Sequence, residues 1–348
     1  METTNPVHRR RPRYKGTHPT KFSEKYKELY PEKYAETAEH VIKKGGTPAG
    51  MHIPICVKEI LEFLRIQPGQ KGLDATLGYG GHTLEMLKCL QGQGHIYALD
   101  VDPIESVKTR DRLARQGYGP EILTVIHTNF ANLDQVAEEH GPFDFILADL
   151  GVSSMQIDNP ERGFSYKYDG PLDLRLDPER GVTAAQRLRE VDEEELQGML
   201  VENADEPYAA EIAAAVRTAF RRGQSIDTTT DLRRVIEGAL EFIPAAERKQ
   251  AVKKSCQRTF QALRIDVNSE FEVLYSFLEK LPDALADGGR AAILTFHSGE
   301  DRLVKKSFRD LHRAGVYSAV STEVIRPSAE ECARNSRAKS TKMRWAIK

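Results

Sequence analysis

The segment Leu73-Asp-Ala-Thr-Leu-Gly78-Tyr-Gly80-Gly81-His82 concentrates residue types that handle a ligand. It ends an apolar run and opens a helical pattern, where exposed backbone N–H groups and close approach to a ligand call for glycine. Two nucleotide-type cofactors use such a turn. A dinucleotide fingerprint, G-x-G-x-x-G, needs glycine at position 83, where this chain has Thr83. Asp74, just ahead of the turn, would also repel a diphosphate. S-adenosylmethionine carries no phosphate and presents a positive α-amino group and sulfonium, so an acid beside a glycine turn suits it. Asp100, 20 residues beyond Gly80, is placed to accept from ribose hydroxyls with either cofactor. A dinucleotide and a purely structural turn stay open on these residues alone.

A second group follows Asp149: Asp149-Leu-Gly-Val-Ser153-Ser154, then a polar and aromatic run through Gln156, Asp158, Arg162, Phe164 and Tyr166. Such a loop offers hydrogen-bonding groups and stacking faces to a base. The bland readings are an aspartate capping the next helix and aromatics that only pack. His297 with Glu300, Asp301 and Arg302 forms a third charged group, readable as the lining of a substrate cleft or as a salt-bridged turn.

These residues need elements to hold them. Apolar runs predict strands at Gly72–Leu77, His95–Asp100, Leu123–His127, Phe143–Asp149 and Arg290–Phe296. Helical stretches separate the first three strands, the alternation of a parallel sheet. Val316–Val320 and Met343–Ile347 can close the sheet as an antiparallel pair. Between the fourth and fifth strands the pattern is helical: Asp192–Val201, Glu206–Phe220 with Pro207 in its first turn, Thr230–Phe242 and Pro244–Lys254. A helix also fits Cys56–Leu64.

The chain has 348 residues, 40% hydrophobic and 29% charged, a soluble globular composition. No apolar stretch is long enough to span a membrane and no secretory leader is evident, so a cytoplasmic protein is expected. Cys56, Cys89, Cys256 and Cys332 show no C-x-x-C spacing, and no metal is expected. The net charge of −2 hides a split: residues 1–27 hold eight Lys/Arg against two acids, residues 333–348 six against none, and the remainder stands at −14. Basic ends on an acidic chain suit RNA phosphates, or are two solvated tails.

His82 after Gly80-Gly81, Asn129-Phe130, Asp149-Leu-Gly-Val-Ser-Ser-x-Gln156-x-Asp158, Arg162-Gly-Phe164-Ser165, Thr259-Phe-Gln-Ala-Leu-Arg264-Ile-x-Val-Asn268 and Phe296-His-Ser-x-Glu-Asp-Arg302 occur in one order. This set resembles the RsmH (MraW) methyltransferases, from about Met51 to Lys348. The resemblance implies an α/β fold: a Rossmann-like class I S-adenosylmethionine-dependent methyltransferase sheet with an inserted all-helical domain. Its parts would be a basic extension (1–50), the methyltransferase domain (51–158 and 263–348, the latter with a basic end) and an inserted substrate-recognition domain (159–262).

The implied activity is methyl transfer to the exocyclic N4 of a decoding-region cytidine in 16S ribosomal RNA, within the small subunit, with a homodimer allowed. Carried onto this chain, the pattern points to Gly80, Gly81, His82, Asp100, Phe130, Asp149 and Gln156 for the cofactor, with Gly78 of the same turn beside them. Asp74 is added from the charge argument above. Asp149, with Ser153 or Ser154, would accept a hydrogen bond from the amine. Arg162, Phe164, Tyr166, His297, Arg302, Arg337, Lys339 and Lys342 would meet RNA. The chain departs from the family at Gly299, where leucine is usual. Carbon-5 methylation needs a cysteine nucleophile, usually after proline, and no cysteine here follows proline. A nicotinamide-dependent oxidoreductase and a non-catalytic RNA-binding assembly factor are the rival classes.

Overall fold

A computed structural model describes residues 54–348, without the side chains of Ser154, Met155, Arg334 and Ser336; the extension expected over residues 1–50 lies outside the described residues. In chain order the elements are α1 (Val57–Leu64), β1 (Lys71–Asp74), α2 (Gly81–Leu90), β2 (His95–Asp100), α3 (Pro103–Arg115), β3 (Leu123–His127), α4 (Leu133–His140), β4 (Phe143–Asp149) and α5 (Ser154–Asp158). A helical stretch follows: α6 (Ala184–Glu190), α7 (Glu193–Ala204), α8 (Ala209–Arg221), α9 (Thr229–Ala239) and α10 (Ala245–Val267). The chain then returns through α11 (Glu270–Ala284), β5 (Leu285–Thr295), α12 (Ser298–Arg313), β6 (Ala319–Val320), α13 (Ala329–Arg334) and β7 (Lys342–Ile347).

Among the described residues the strands form one sheet in the order β3-β2-β1-β4-β5-β7-β6. β1 pairs in parallel with both β2 and β4, and β5 continues parallel beside β4. β7 runs antiparallel to β5 and to β6, the closing pair that the sequence pattern predicts. The order reverses between β1 and β4, so a crevice opens at their carboxyl ends, where open α/β sheets take ligands. This is a Rossmann-like α/β fold.

Both faces of the sheet are covered, which is why β4 is apolar almost throughout. Alternation assigns Ile146, Ala148, Ala291 and Ile293 to a core shared with α4, α11 and α12. Phe145, Leu147, Ala292 and Leu294 face the other way, onto α1, α2 and α3. The helical stretch builds a third core of its own around Leu188, Leu200, Ile212, Val216, Ile236 and Phe260.

Several element boundaries differ from expectation. β1 stops at Asp74 because the Thr76 N–H turns back to Asp74 Oδ1 (3.0 Å). β6 shrinks to Ala319–Val320. α8 starts at Ala209, leaving Pro207 outside, because the buried Glu206 carboxylate takes the Tyr208 N–H (3.1 Å) and the Ser255 hydroxyl (2.8 Å). α10 runs on past Lys254, since Cys256, Phe260 and Leu263 continue one buried stripe to Val267. Among the described residues no helix is long and apolar enough to cross a membrane.

Candidate functional site

Three aspartates end adjacent strands: Asp74 on β1, Asp100 on β2 and Asp149 on β4. Asp74 is 1% exposed and spends both oxygens on the protein. Oδ1 accepts from the Thr76 N–H, and Oδ2 accepts the Thr83 hydroxyl at 2.6 Å. Burial pushes its carboxyl up from the usual value, against those hydrogen bonds. Asp74 therefore shapes the turn rather than facing a ligand. Thr83 ties the start of α2 to the end of β1 at the position where a dinucleotide fingerprint needs glycine. Thr76, which the sequence reading passed over, accepts the Asp149 N–H through its hydroxyl oxygen at 2.6 Å and so joins the β1 turn to the end of β4.

Gly80 has φ +71°, and a Cβ there would meet Thr109 Cγ2 at 2.7 Å, so the turn at the head of α2 closes only with glycine. α3 braces this turn from outside. The Thr109 hydroxyl donates to the Gly78 carbonyl (2.7 Å), and Arg112 donates to the Tyr79 carbonyl while lying 3.4 Å from the Tyr79 ring centroid. Asp100 accepts from the Gly78 and Asp102 N–H groups, both at 2.8 Å, one on each oxygen. Burial, with Asp102 and Asp74 nearby, pushes its carboxyl up to about 6 against those two hydrogen bonds. Each oxygen accepts one N–H and keeps capacity for another. Phe130 follows β3 and packs edge-on against Phe277, ring centroids 5.2 Å apart.

His82 is buried. Its Nε2 lies 2.8 Å from the Ile55 carbonyl and its Nδ1 3.4 Å from Asp149 Oδ2. A carbonyl on one side and a carboxylate on the other ask for a proton on both nitrogens. Burial alone would lower the imidazole; Asp149, the Ile55 carbonyl and Asp74 outweigh it, and the net shift is upward. Asp149 Oδ1, by contrast, is buried and has no hydrogen-bond partner. An acceptor left unpaired at the crevice wall suits an N–H donor brought by a ligand. Together with the glycine turn and Asp100, it fits a cationic, ribose-bearing cofactor and an amine substrate.

Asp102 is a hub that the sequence reading missed. Fully buried, it caps α3 by accepting from the Ile104 and Glu105 N–H groups (3.0 Å each). Its other oxygen accepts from Arg162 Nη1 (2.7 Å) and Gln156 Nε2 (3.2 Å). The Asp102-Pro103 pair is an N-cap signature that could have flagged it. Arg162, expected on RNA, instead turns inward, with Nη2 donating to the Arg175 and Leu176 carbonyls. Asn268 grips the same segment through Leu174 and Leu176. Gln156 Oε1 accepts the Ser153 N–H, so its amide is engaged at both ends, and Ser153 Oγ accepts the Gln156 N–H. Phe164, expected to stack on a base, is buried in the helical core, the result of an apolar ring beside an apolar cluster. Tyr166 is partly buried, edge-on to Phe260.

Two members of the third charged group, His297 and Arg302, line a cleft. About 210 Å³ in volume, it lies between the end of α7, α10 and the start of α12, with Arg258, Gln261, Asp205, His297 and Arg302 on its walls. His297 Nε2 lies 3.2 Å from Glu300 Oε1, and neither ring nitrogen has an aligned hydrogen-bond partner. Burial would raise the Glu300 carboxyl; His297, Arg264 and the Phe296 N–H together hold it below the usual range. A Cβ on Gly299 would meet Phe271 Cζ at 2.7 Å, so Phe271 fills the space a side chain there would need. The basic C-terminal end is less free than its composition suggests. Lys342 and Arg344 both pair with Asp301 (3.1 and 2.7 Å) and Arg337 pairs with Asp158 (3.0 Å), while Lys339 is exposed.

Comparison with known proteins gives a match of residues 49–348 to the MraW methylase family. Ribosomal RNA small subunit methyltransferase H 1 of Lachnoclostridium phytofermentans is 72% identical over 347 residues, covering 100% of this chain and 95% of that protein. The protein of the same name from Agathobacter rectalis is 65% identical, covering 98% of each chain. Ribosomal RNA small subunit methyltransferase H 2 of Alkaliphilus metalliredigens is 64% identical over 348 residues, covering 100% of both.

Proposed function

The chain belongs to the MraW methylase family, and from that premise we propose that it methylates the exocyclic N4 of a cytidine in 16S ribosomal RNA. The observation that carries this reading is the unpaired, buried Oδ1 of Asp149 at the end of β4. S-adenosylmethionine, when bound, supplies an electrophilic methyl group on a sulfonium. Gly78, Gly80 and Gly81 would bring backbone to that cofactor, Asp100 would accept from its ribose hydroxyls, and Phe130 would hold its base.

A cytosine amine is a poor nucleophile, because its lone pair is delocalised into the ring. Asp149 Oδ1 would accept one N–H and orient the nitrogen for transfer; positioning of this kind supplies roughly 7–11 kcal/mol of a barrier. No strong base is needed, since the nitrogen becomes acidic as its new bond forms. His82 anchors the other oxygen of Asp149, Thr76 anchors its backbone, and Ser153 and Gln156 hold the following loop. Ser154 heads α5 within that loop.

RNA recognition falls to the helical insert, residues 159–262, and to the cleft beside it. Lys249, Lys253 and Lys254 are exposed on α10, while Arg302, Lys305 and Lys306 are exposed on α12, two basic faces flanking Arg258 and His297. The finer reading is a decoding-centre cytidine within the small subunit, with the chain acting alone or as a homodimer. Incubation with methyl-labelled S-adenosylmethionine and small subunits, followed by nucleoside analysis, is expected to yield N4-methylcytidine. Label in 5-methylcytidine, or none together with tight binding of a nicotinamide dinucleotide, would overturn it.

A further inference from the structure

Cys56, Glu59 and Glu331 bring a thiol and two carboxylates together, their ligand atoms all within 4.8 Å of one another. Cys56 and Glu59 stand at the start of α1 and Glu331 on α13, 275 residues from Cys56. That separation hides the set from any reading of local cysteine spacing. The Cys56 N–H already donates to Glu331 Oε1 at 2.8 Å, which fixes the two segments against each other.

Two features of the cluster bear on what it can hold. Cys56 is 0% exposed, in no disulfide, and its thiol has no hydrogen-bond partner among the described residues. No Lys or Arg among the described residues pairs with Glu59 or Glu331. We propose that Cys56, Glu59 and Glu331 form a divalent transition-metal site of the zinc class that clamps the C-terminal segment to the start of α1. A thiolate among the donors selects Zn²⁺ or Co²⁺ over Mg²⁺ or Ca²⁺. Ligation needs the side chains to contract by about 1 Å, since zinc bonds of roughly 2.0–2.3 Å place donors closer together. On binding, the Cys56 proton leaves to solvent and the thiolate takes its place on the metal.

The clamp has a consequence for the tail. α13 leads directly to Arg337, whose pair with Asp158 lays the basic end beside the loop after β4. The site thereby sets where Lys339 is presented.

Anaerobic titration of the full chain with Co²⁺, under a non-thiol reductant, tests this. An intense near-ultraviolet sulfur-to-cobalt band is expected, saturating at one ion per chain and displaced by Zn²⁺. Cys56→Ser is expected to abolish the band. Glu59→Gln, a change at a partly exposed position that keeps the fold by circular dichroism, is expected to weaken binding by about tenfold or more, at least what loss of a supporting partner costs. No band in the parent chain, a band that survives Cys56→Ser, or unchanged affinity in Glu59→Gln overturns the proposal.

Discussion

Asp149 and Asp100 are alike in type and in place, yet their surroundings give them different work. Asp149 has one oxygen held by His82 and the other unpaired. Asp149→Asn keeps the shape, but with its amide oxygen held by the His82 N–H it presents an NH2 donor where Oδ1 accepts, so it is expected to lower kcat by about 100-fold or more, the scale seen when a positioned transition-state contact is removed. Cofactor affinity should stay within about threefold, as read by calorimetry beside single-turnover kinetics. Asp100 is held up to about 6. Between the ordinary value of 3.8 and about 6, the folded chain binds more protons than the unfolded one, so this group's contribution to stability falls as pH rises across that window. With Asp100 in its proposed role, cofactor affinity is expected to run the opposite way, because ribose hydroxyls would donate to the carboxylate. Affinity should weaken as pH falls below about 6, by up to tenfold per pH unit, and Asp100→Asn should remove that dependence.

Elements decide which way a side chain faces, and here the sequence was only partly legible. The glycine turn, the strand-end acids and the closing antiparallel pair could be read from residue types and periodicity. Arg162 could not be read, since its type suits RNA and nothing within ten residues shows that Asp102, 60 positions earlier, waits beneath it. Phe164 misled for the same reason: its burial depends on a helical core assembled from residues up to Leu263. The Asp102–Arg162 pair, with side chains 0% and 13% exposed, links the start of α3 to the loop that enters the helical insert. Asp102→Ala removes an N-cap and strands a buried guanidinium, and is expected to destabilise by about 3–5 kcal/mol in denaturant titration. The double change with Arg162→Met should recover part of that loss.

Across the whole molecule, positive charge is divided between holding the fold together and meeting RNA. Arg337, Lys342 and Arg344 have protein partners, so the basic end of the sequence overstates the charge available to phosphate. With six phosphate contacts, log K for RNA should fall with log salt at a slope of about −4 to −5. Lys339→Ala should shallow that slope by about 0.7–0.9, while Lys342→Ala should change it less; a flat salt response would contradict the RNA surface described here. The most direct test of the account maps modified nucleosides in ribosomal RNA from cells with the gene, without it, and with an Asp149→Asn allele. An N4-methylcytidine in small-subunit RNA is expected to vanish without the gene, return with the parent chain and stay absent with the allele. Its persistence without the gene, or its return with Asp149→Asn, would contradict the account.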